Sequence, residues 1–283
     1  LFGNSTDKLI SMNVRLLGIC AMAALAGGAL ASHYWPSGDR DAEPPVLVLP
    51  APTDPPHLAE GETYERCLVL LANDPVGAST QAEASEANSG GADAVHCRAL
   101  AQIASGRPEL GAAQLESLAN SNRAPDRAAL FGQAVQALLM AGQPERALAA
   151  ASDALVLAPD DIGLLVDRAT AADALQRSQP AIEDLDHALK LDAKRVDALV
   201  LRAAVWRRLN NLDQAAADVG RAIEIDPRNP EALLERGILR QRQGNSAGAR
   251  ADWQNATTID PNSTTAELAA QNLALLEAGT DRR

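Results

Sequence analysis

Between residues 128 and 263 the apolar positions fall into the same places four times, at a constant interval of thirty-four residues. Four blocks align without a gap: 128–161, 162–195, 196–229 and 230–263. Their twentieth position is always alanine (Ala147, Ala181, Ala215, Ala249), and so is the twenty-seventh (Ala154, Ala188, Ala222, Ala256). The thirtieth is aliphatic (Leu157, Leu191, Ile225, Ile259), and the fourth is bulky and apolar (Phe131, Leu165, Leu199, Leu233). Such spacing gathers the apolar residues on helix faces and predicts two helices per block. A turn falls near Gly142, Asn210 or Gly244, and Pro159, Pro227 and Pro261 end the second helix because proline cannot continue one. One helix pair cannot bury both of its apolar faces, so successive pairs must stack.

Outside the four blocks the pattern thins. Residues 92–127 read as a degenerate unit: one helix carries Val95, Leu100, Ala101 and Ile103, Gly106-Arg107-Pro108 turns, and a second carries Ala112, Leu115 and Leu118. Residues 60–91 form an N-terminal helical pair. Its first helix spans 60–73 through Tyr64, Leu68, Leu70 and Leu71; Asp74-Pro75 supplies an N-cap and first turn for a weakly apolar second helix that runs to about Asn88 before Gly90-Gly91. After the last block, 264–278 predicts one helix covering the open end through Leu268, Leu273 and Leu276, followed by a short tail, 279–283.

Small residues repeated without a gap at these offsets resemble the tetratricopeptide repeat family, over nearly half of the chain. The resemblance implies an all-α fold: a right-handed α-solenoid of helix-turn-helix repeats with a C-terminal capping helix. Two departures stand out. The eighth position, small as Ala169, Ala203 and Gly237, is Val135 in the first block, and Ala193 replaces the proline of the second. Looser packing of the first block is expected, not another fold.

Composition agrees with helices. Of 283 residues 47% are apolar but only 2% aromatic, and Ala and Leu, the best helix formers, lead the apolar set. A net charge of −12 argues against nucleic acid, whose phosphates need a basic surface.

The N-terminal region reads as an export signal. Met12-Asn13-Val14-Arg15 is followed by an uncharged run, 16–30, and Ala29-Leu30-Ala31 offers a cleavage site, so 1–31 is read as a leader with its start at Met12. An uncleaved inner-membrane anchor over 16–35 is the competing reading. Fifteen apolar residues reach only ~22 Å against a hydrocarbon core of ~30 Å. Cys20 follows Ile19, which does not suit a lipid-bearing cysteine. Both readings place the rest of the chain in the bacterial periplasm. Seven of the sixteen prolines lie in 32–59 (Pro36, Pro44, Pro45, Pro50, Pro52, Pro55, Pro56), which is read as a semi-rigid linker.

Charged residues recur as well. Arg168, Arg202 and Arg236 hold position seven, and Asp184, Asp218 and Asp252 hold position twenty-three. Sixteen residues apart across the turn, they face each other on antiparallel helices and read as a structural ladder of guanidinium–carboxylate forks rather than as a binding track. Cys67 and Cys97 suit a disulfide in an oxidising compartment; two free thiols, or a metal held with His96, are the alternatives, the last lacking a fourth ligand. His33, His57, His96 and His187 have no spacing that links them to a nucleophile or metal set. No catalytic residue, metal ligand set or cofactor motif is assigned.

In the family the inner face is lined by the first helix of each repeat, at positions two, five, nine, twelve and thirteen. That gives a candidate groove of Met140, Val166, Thr170, Val200, Ala204, Arg207, Arg208, Leu234, Ile238 and Arg242, apolar at its floor with arginines toward the later repeats. It suits an extended or helical protein segment bearing acidic residues. Family members that clamp a C-terminal carboxylate carry Lys and Asn at positions five and nine, and this chain has neither there. The expected role is a non-enzymatic interaction scaffold in the bacterial envelope, for a protein or peptide partner. A periplasmic holdase or assembly chaperone, and a regulatory subunit of a peptidoglycan enzyme, are the alternatives.

Overall fold

The computed structural model describes residues 62–89, 91–122 and 124–280. The leader, the proline-rich linker, Cys20, His33 and His57 lie outside the described residues. Those described form thirteen α-helices and no strand. Their contacts divide the chain into two units, the first ending at Pro159 and the second beginning at Asp160.

In the first unit, α1 (Glu62–Asn73), α2 (Pro75–Ser89), α3 (Ala92–Ala104), α4 (Pro108–Ala119), α5 (Arg127–Met140) and α6 (Pro144–Leu157) each pack on the next. Tyr64, Cys67 and Leu71 lie three and four residues apart and are the buried stripe of α1; Ala78 and Ala82 of α2 and Cys97 and Ala101 of α3 close over it. Asp74 caps α2 by accepting the Gly77 N–H at 2.9 Å, and Pro75 takes the first helical position, where its missing donor costs nothing. Asp126 caps α5 by accepting from Ala129. Val135, at the register where small residues stand elsewhere, is fully buried.

In the second unit, α7 (Ile162–Ala174), α9 (Val196–Arg208) and α11 (Pro230–Arg242) are the first helices of their repeats, the A-helices. α8 (Ser178–Leu191), α10 (Leu212–Ile225) and α12 (Ser246–Ile259) are the second, and α13 (Thr264–Thr280) follows in the A position. The A-helices touch in succession from α7 to α13. Asp161 and Asn229 cap α7 and α11 through the N–H groups of Leu164 and Ala232. α13 runs two residues beyond the expected 264–278, and its Leu276 is buried with Leu233, Leu234 and Trp253 while Leu268 and Leu273 pack at the edge.

One backbone device repeats after every A-type helix from α3 to α11. A residue at positive φ (Gly106, Gly142, Gln176, Asn210, Gly244) reverses the chain, and the next N–H reaches back five residues, as from Gln143 to Leu138 and from Arg177 to Ala172. Gln176 adopts φ 58° without being glycine or asparagine, and for that reason composition does not mark this turn. Proline is not what ends the B-helices. α8 stops at Leu191, in register with the others, although Ala193 stands where they have proline. Asp192 accepts the Lys194 N–H at 2.9 Å, as Asp226 accepts that of Arg228 at 3.0 Å, and this side-chain turn takes over the stop.

Candidate functional site

Guanidinium and carboxylate groups meet across each repeat of the second unit. Arg168 donates to both oxygens of Asp184 at 2.8 and 2.6 Å, Arg202 to Asp218 at 2.8 and 2.7 Å, and Arg236 to Asp252 at 3.0 and 2.7 Å. Arg202 also reaches Asp186 of the preceding repeat at 2.6 Å, and Arg240 adds a second donor to Asp252. Asp184, Asp218 and Asp252 are buried, so the fork replaces the water they lose. Donating to Asp184 and Asp218 raises the proton affinity of Arg168 and Arg202 further, against the effect of burial.

A second set of ion pairs runs along the A-helices. Arg207 of α9 donates to Glu235 of α11 at 2.5 Å, and both are buried; Arg208 of α9 pairs with Asp173 of α7. The arginine cluster expected to line the groove is thus spent largely on neighbouring repeats. The sequence alone does not reveal this, because Asp173 and Glu235 lie at different registers, six residues apart in the repeat, so no column of the alignment pairs them with the arginines.

The candidate groove residues divide by burial. Val166, Thr170, Val200, Ala204, Arg207 and Leu234 are all at most 8% exposed, which corrects their assignment as an open floor. Leu234 belongs to the core around Trp253, whose indole N–H donates to the Leu234 carbonyl at 3.2 Å. Ile238 and Arg208 are partly exposed, Arg242 is exposed, and Met140, in the first unit, is 40% exposed.

In the first unit Tyr64, His96 and Gln133 tie α1, α3 and α5 together. The Tyr64 hydroxyl lies 2.7 Å from His96 Nδ1, and His96 Nε2 lies 2.6 Å from Gln133 Oε1. Since Oε1 only accepts, Nε2 carries the proton and Nδ1 accepts from the tyrosine. Burial lowers the His96 pKa from its ordinary 6.5, against a smaller opposing effect of the Gln133 hydrogen bond. Beside this cluster the Cys67 and Cys97 sulfurs stand at bonding distance, with Cα atoms 6.2 Å apart. No three potential metal ligands cluster among the described residues. A shallow cleft of about 230 Å³ opens between α4, α5 and α6, lined by Glu116, Asn120, Phe131, Arg146 and Asp153, with Arg146 and Glu116 paired at 2.7 Å. No helix among the described residues is long and apolar enough to cross a membrane.

These helix pairs, their turn geometry and their small crossing residues define the tetratricopeptide-repeat fold. Among solved structures the chain is similar to TTC0263, a thermophilic TPR protein of Thermus thermophilus, at 18% identity and TM-score 0.56, covering 65% of this chain and 99% of that one. Residues 41 to the end of MamA from Desulfovibrio magneticus match at 15% identity and TM-score 0.51, covering 61% and 97%. The Cut9–Hcn1 hetero-tetramer of the APC/C matches at 14% identity and TM-score 0.60, covering 96% of this chain and 49% of that one. At these identities the likeness is one of fold. No protein-family model and no curated protein matches the sequence.

Proposed function

We propose that this chain is a non-enzymatic interaction scaffold of the bacterial envelope, and that the A-helix face of its second unit takes up an extended, apolar polypeptide segment. One observation carries this reading: the charges along that face, Arg207, Arg208, Asp173 and Glu235, are paired with one another, while Ile238, a candidate groove residue, is apolar and partly exposed. A partner gains little there from acidic side chains, because meeting the arginines would break existing ion pairs. The preference for acidic segments is therefore replaced by one for aliphatic segments. The reading of residues 1–31 as an export signal supports an envelope location, and there the Cys67–Cys97 pair would be oxidised, fastening α1 to α3.

The test is crosslinking capture from an envelope extract, with partners identified by mass spectrometry. The same folded partner should be retained by the unaltered chain and lost with Ile238→Glu, at a partly exposed position on the edge of the Trp253 core, with circular dichroism showing that the variant is folded. Capture of many unfolded chains without selection would favour a holdase instead. Retention of one partner undiminished by Ile238→Glu and by Val200→Glu would rule the A-helix face out.

A further inference from the structure

Five successive helix pairs carry a position seven on their A-helices, and four fill it with arginine: Arg98, Arg168, Arg202 and Arg236. The exception is Ala134 of the repeat 128–161, whose position twenty-three is likewise Ala150 where the later repeats have aspartate. Arg98 belongs to this register because Gly106 and Gly142 turn the chain thirty-six residues apart, as Pro108 and Pro144 begin their helices. It pairs with Glu86 of α2 at 2.9 Å. Counted the same way, Glu116 stands at position twenty-five, the place of Asp186 in the second unit. There Arg202 grips Asp186 of the preceding repeat as well as its own Asp218. Between Glu116 and Ala150 no such arginine intervenes, and the cleft of about 230 Å³ opens beside them, walled also by Phe131, Ala149 and Asp153.

The cleft falls below the roughly 300–1,000 Å³ of small-molecule sites, so it suits a single side chain. Phe131, Ala149 and Ala150 make its wall apolar, while Glu116 and Asp153 set two negative charges there against Arg146. Arg146 engages Glu116 Oε2 at 2.7 Å and turns another nitrogen to Gln143. Among the described residues Glu116 Oε1 and the Asp153 carboxylate accept no hydrogen bond. An arginine answers all of this: its apolar stem lies against alanine and phenyl surface, and its guanidinium brings five donors in a planar fork. A leucine would give the carboxylates nothing, an acidic side chain would meet like charge, and a lysine offers a point charge instead of a fork. We propose that the cleft takes an arginine side chain from a partner protein, completing in trans the rung that this repeat lacks. The formal net charge of −12 draws a basic partner toward it. The site lies wholly in the first unit and does not depend on the A-helix face proposed above.

Nuclear magnetic resonance of the full chain, labelled at its alanine methyl groups, tests this. The probe is the blocked peptide acetyl-Ala-Ala-Arg-Ala-Ala-amide, with lysine or norleucine in place of arginine as controls. The arginine peptide should shift the Ala149 and Ala150 methyl signals saturably, with at least fivefold higher affinity than either control. Asp153→Asn, at an exposed position, should weaken it at least threefold. Ala134→Arg with Ala150→Asp supplies the rung from within and should abolish the Ala149 shift. If that variant fails to fold, Asp153→Arg puts a guanidinium at the rim and should do the same. No shift at Ala149 and Ala150, equal affinity for the norleucine peptide, or an affinity unchanged by Asp153→Asn would overturn the proposal. Free L-arginine binding more tightly than the peptide would overturn a protein partner and make the cleft an amino-acid site.

Discussion

His96 is neutral in the fold because burial penalises its charged form, while in the unfolded chain it titrates near its ordinary 6.5. Below that value the unfolded state binds a proton that the native state does not, so stability rises with pH there. The contribution is complete above about pH 6.5 and is lost as pH falls toward the lowered native value. Urea denaturation at pH 7.5 and 5.5 should show this loss, and His96→Asn should shrink it. At the same cluster Tyr64→Phe removes the donor to Nδ1 and should cost about 1–3 kcal/mol, the penalty of an unsatisfied buried acceptor. In the second unit Arg202→Ala would leave Asp218 buried without its fork, an expected loss of about 3 kcal/mol by thermal denaturation. Gly237→Ala tests the small eighth position differently: a Cβ there would overlap the Trp253 indole, so a loss of about 1–3 kcal/mol is expected from overpacking. The Arg–Asp ladder was legible in the sequence because its partners recur in fixed columns. The pairing of Arg207 and Arg208 was not, because their partners sit in columns where other repeats carry unrelated residues.

At the scale of the elements, helix boundaries follow the apolar pattern closely where a junction carries its own chemical marker. Asp126, Asp161 and Asn229 start A-helices, and the side-chain turns of Asp192 and Asp226 end B-helices. The turn at Gln176 shows where markers fail: its geometry is imposed by the helices on both sides, not by its own preference. A left-handed residue with a Cβ costs about 1 kcal/mol or somewhat more, so Gln176→Gly should raise stability by up to about 1 kcal/mol in the same denaturation assay. At the eighth position of the first repeat, where the others carry alanine or glycine, the bulkier Val135 is fully buried. Side-chain volume alone does not report how the neighbouring helices adjust. Among the described side chains of α2 only Ala78, Ser79 and Ala82 are buried, and a Cys67–Cys97 disulfide beside it would close a loop of thirty residues. Reduction should therefore cost about 3–4 kcal/mol in the loop-entropy account, read as earlier melting of the first unit.

For the molecule as a whole, the period of thirty-four residues was enough to give the fold, because a repeat whose helices cannot bury their faces alone has to stack. The interaction face was only half legible. Register told which residues lie along the A-helices, but burial depends on what covers them, and charge depends on partners in other repeats. That is why the expected open, basic floor became a covered face of paired charges. The most direct test is calorimetric titration of the captured partner against the folded chain, an A-helix variant, Ile238→Glu, and a B-helix control, Ala217→Glu, at an exposed position of α10. At least a tenfold loss of affinity is expected for Ile238→Glu, with Ala217→Glu unchanged. An unchanged affinity for Ile238→Glu, or a loss confined to Ala217→Glu, would contradict uptake along the A-helices.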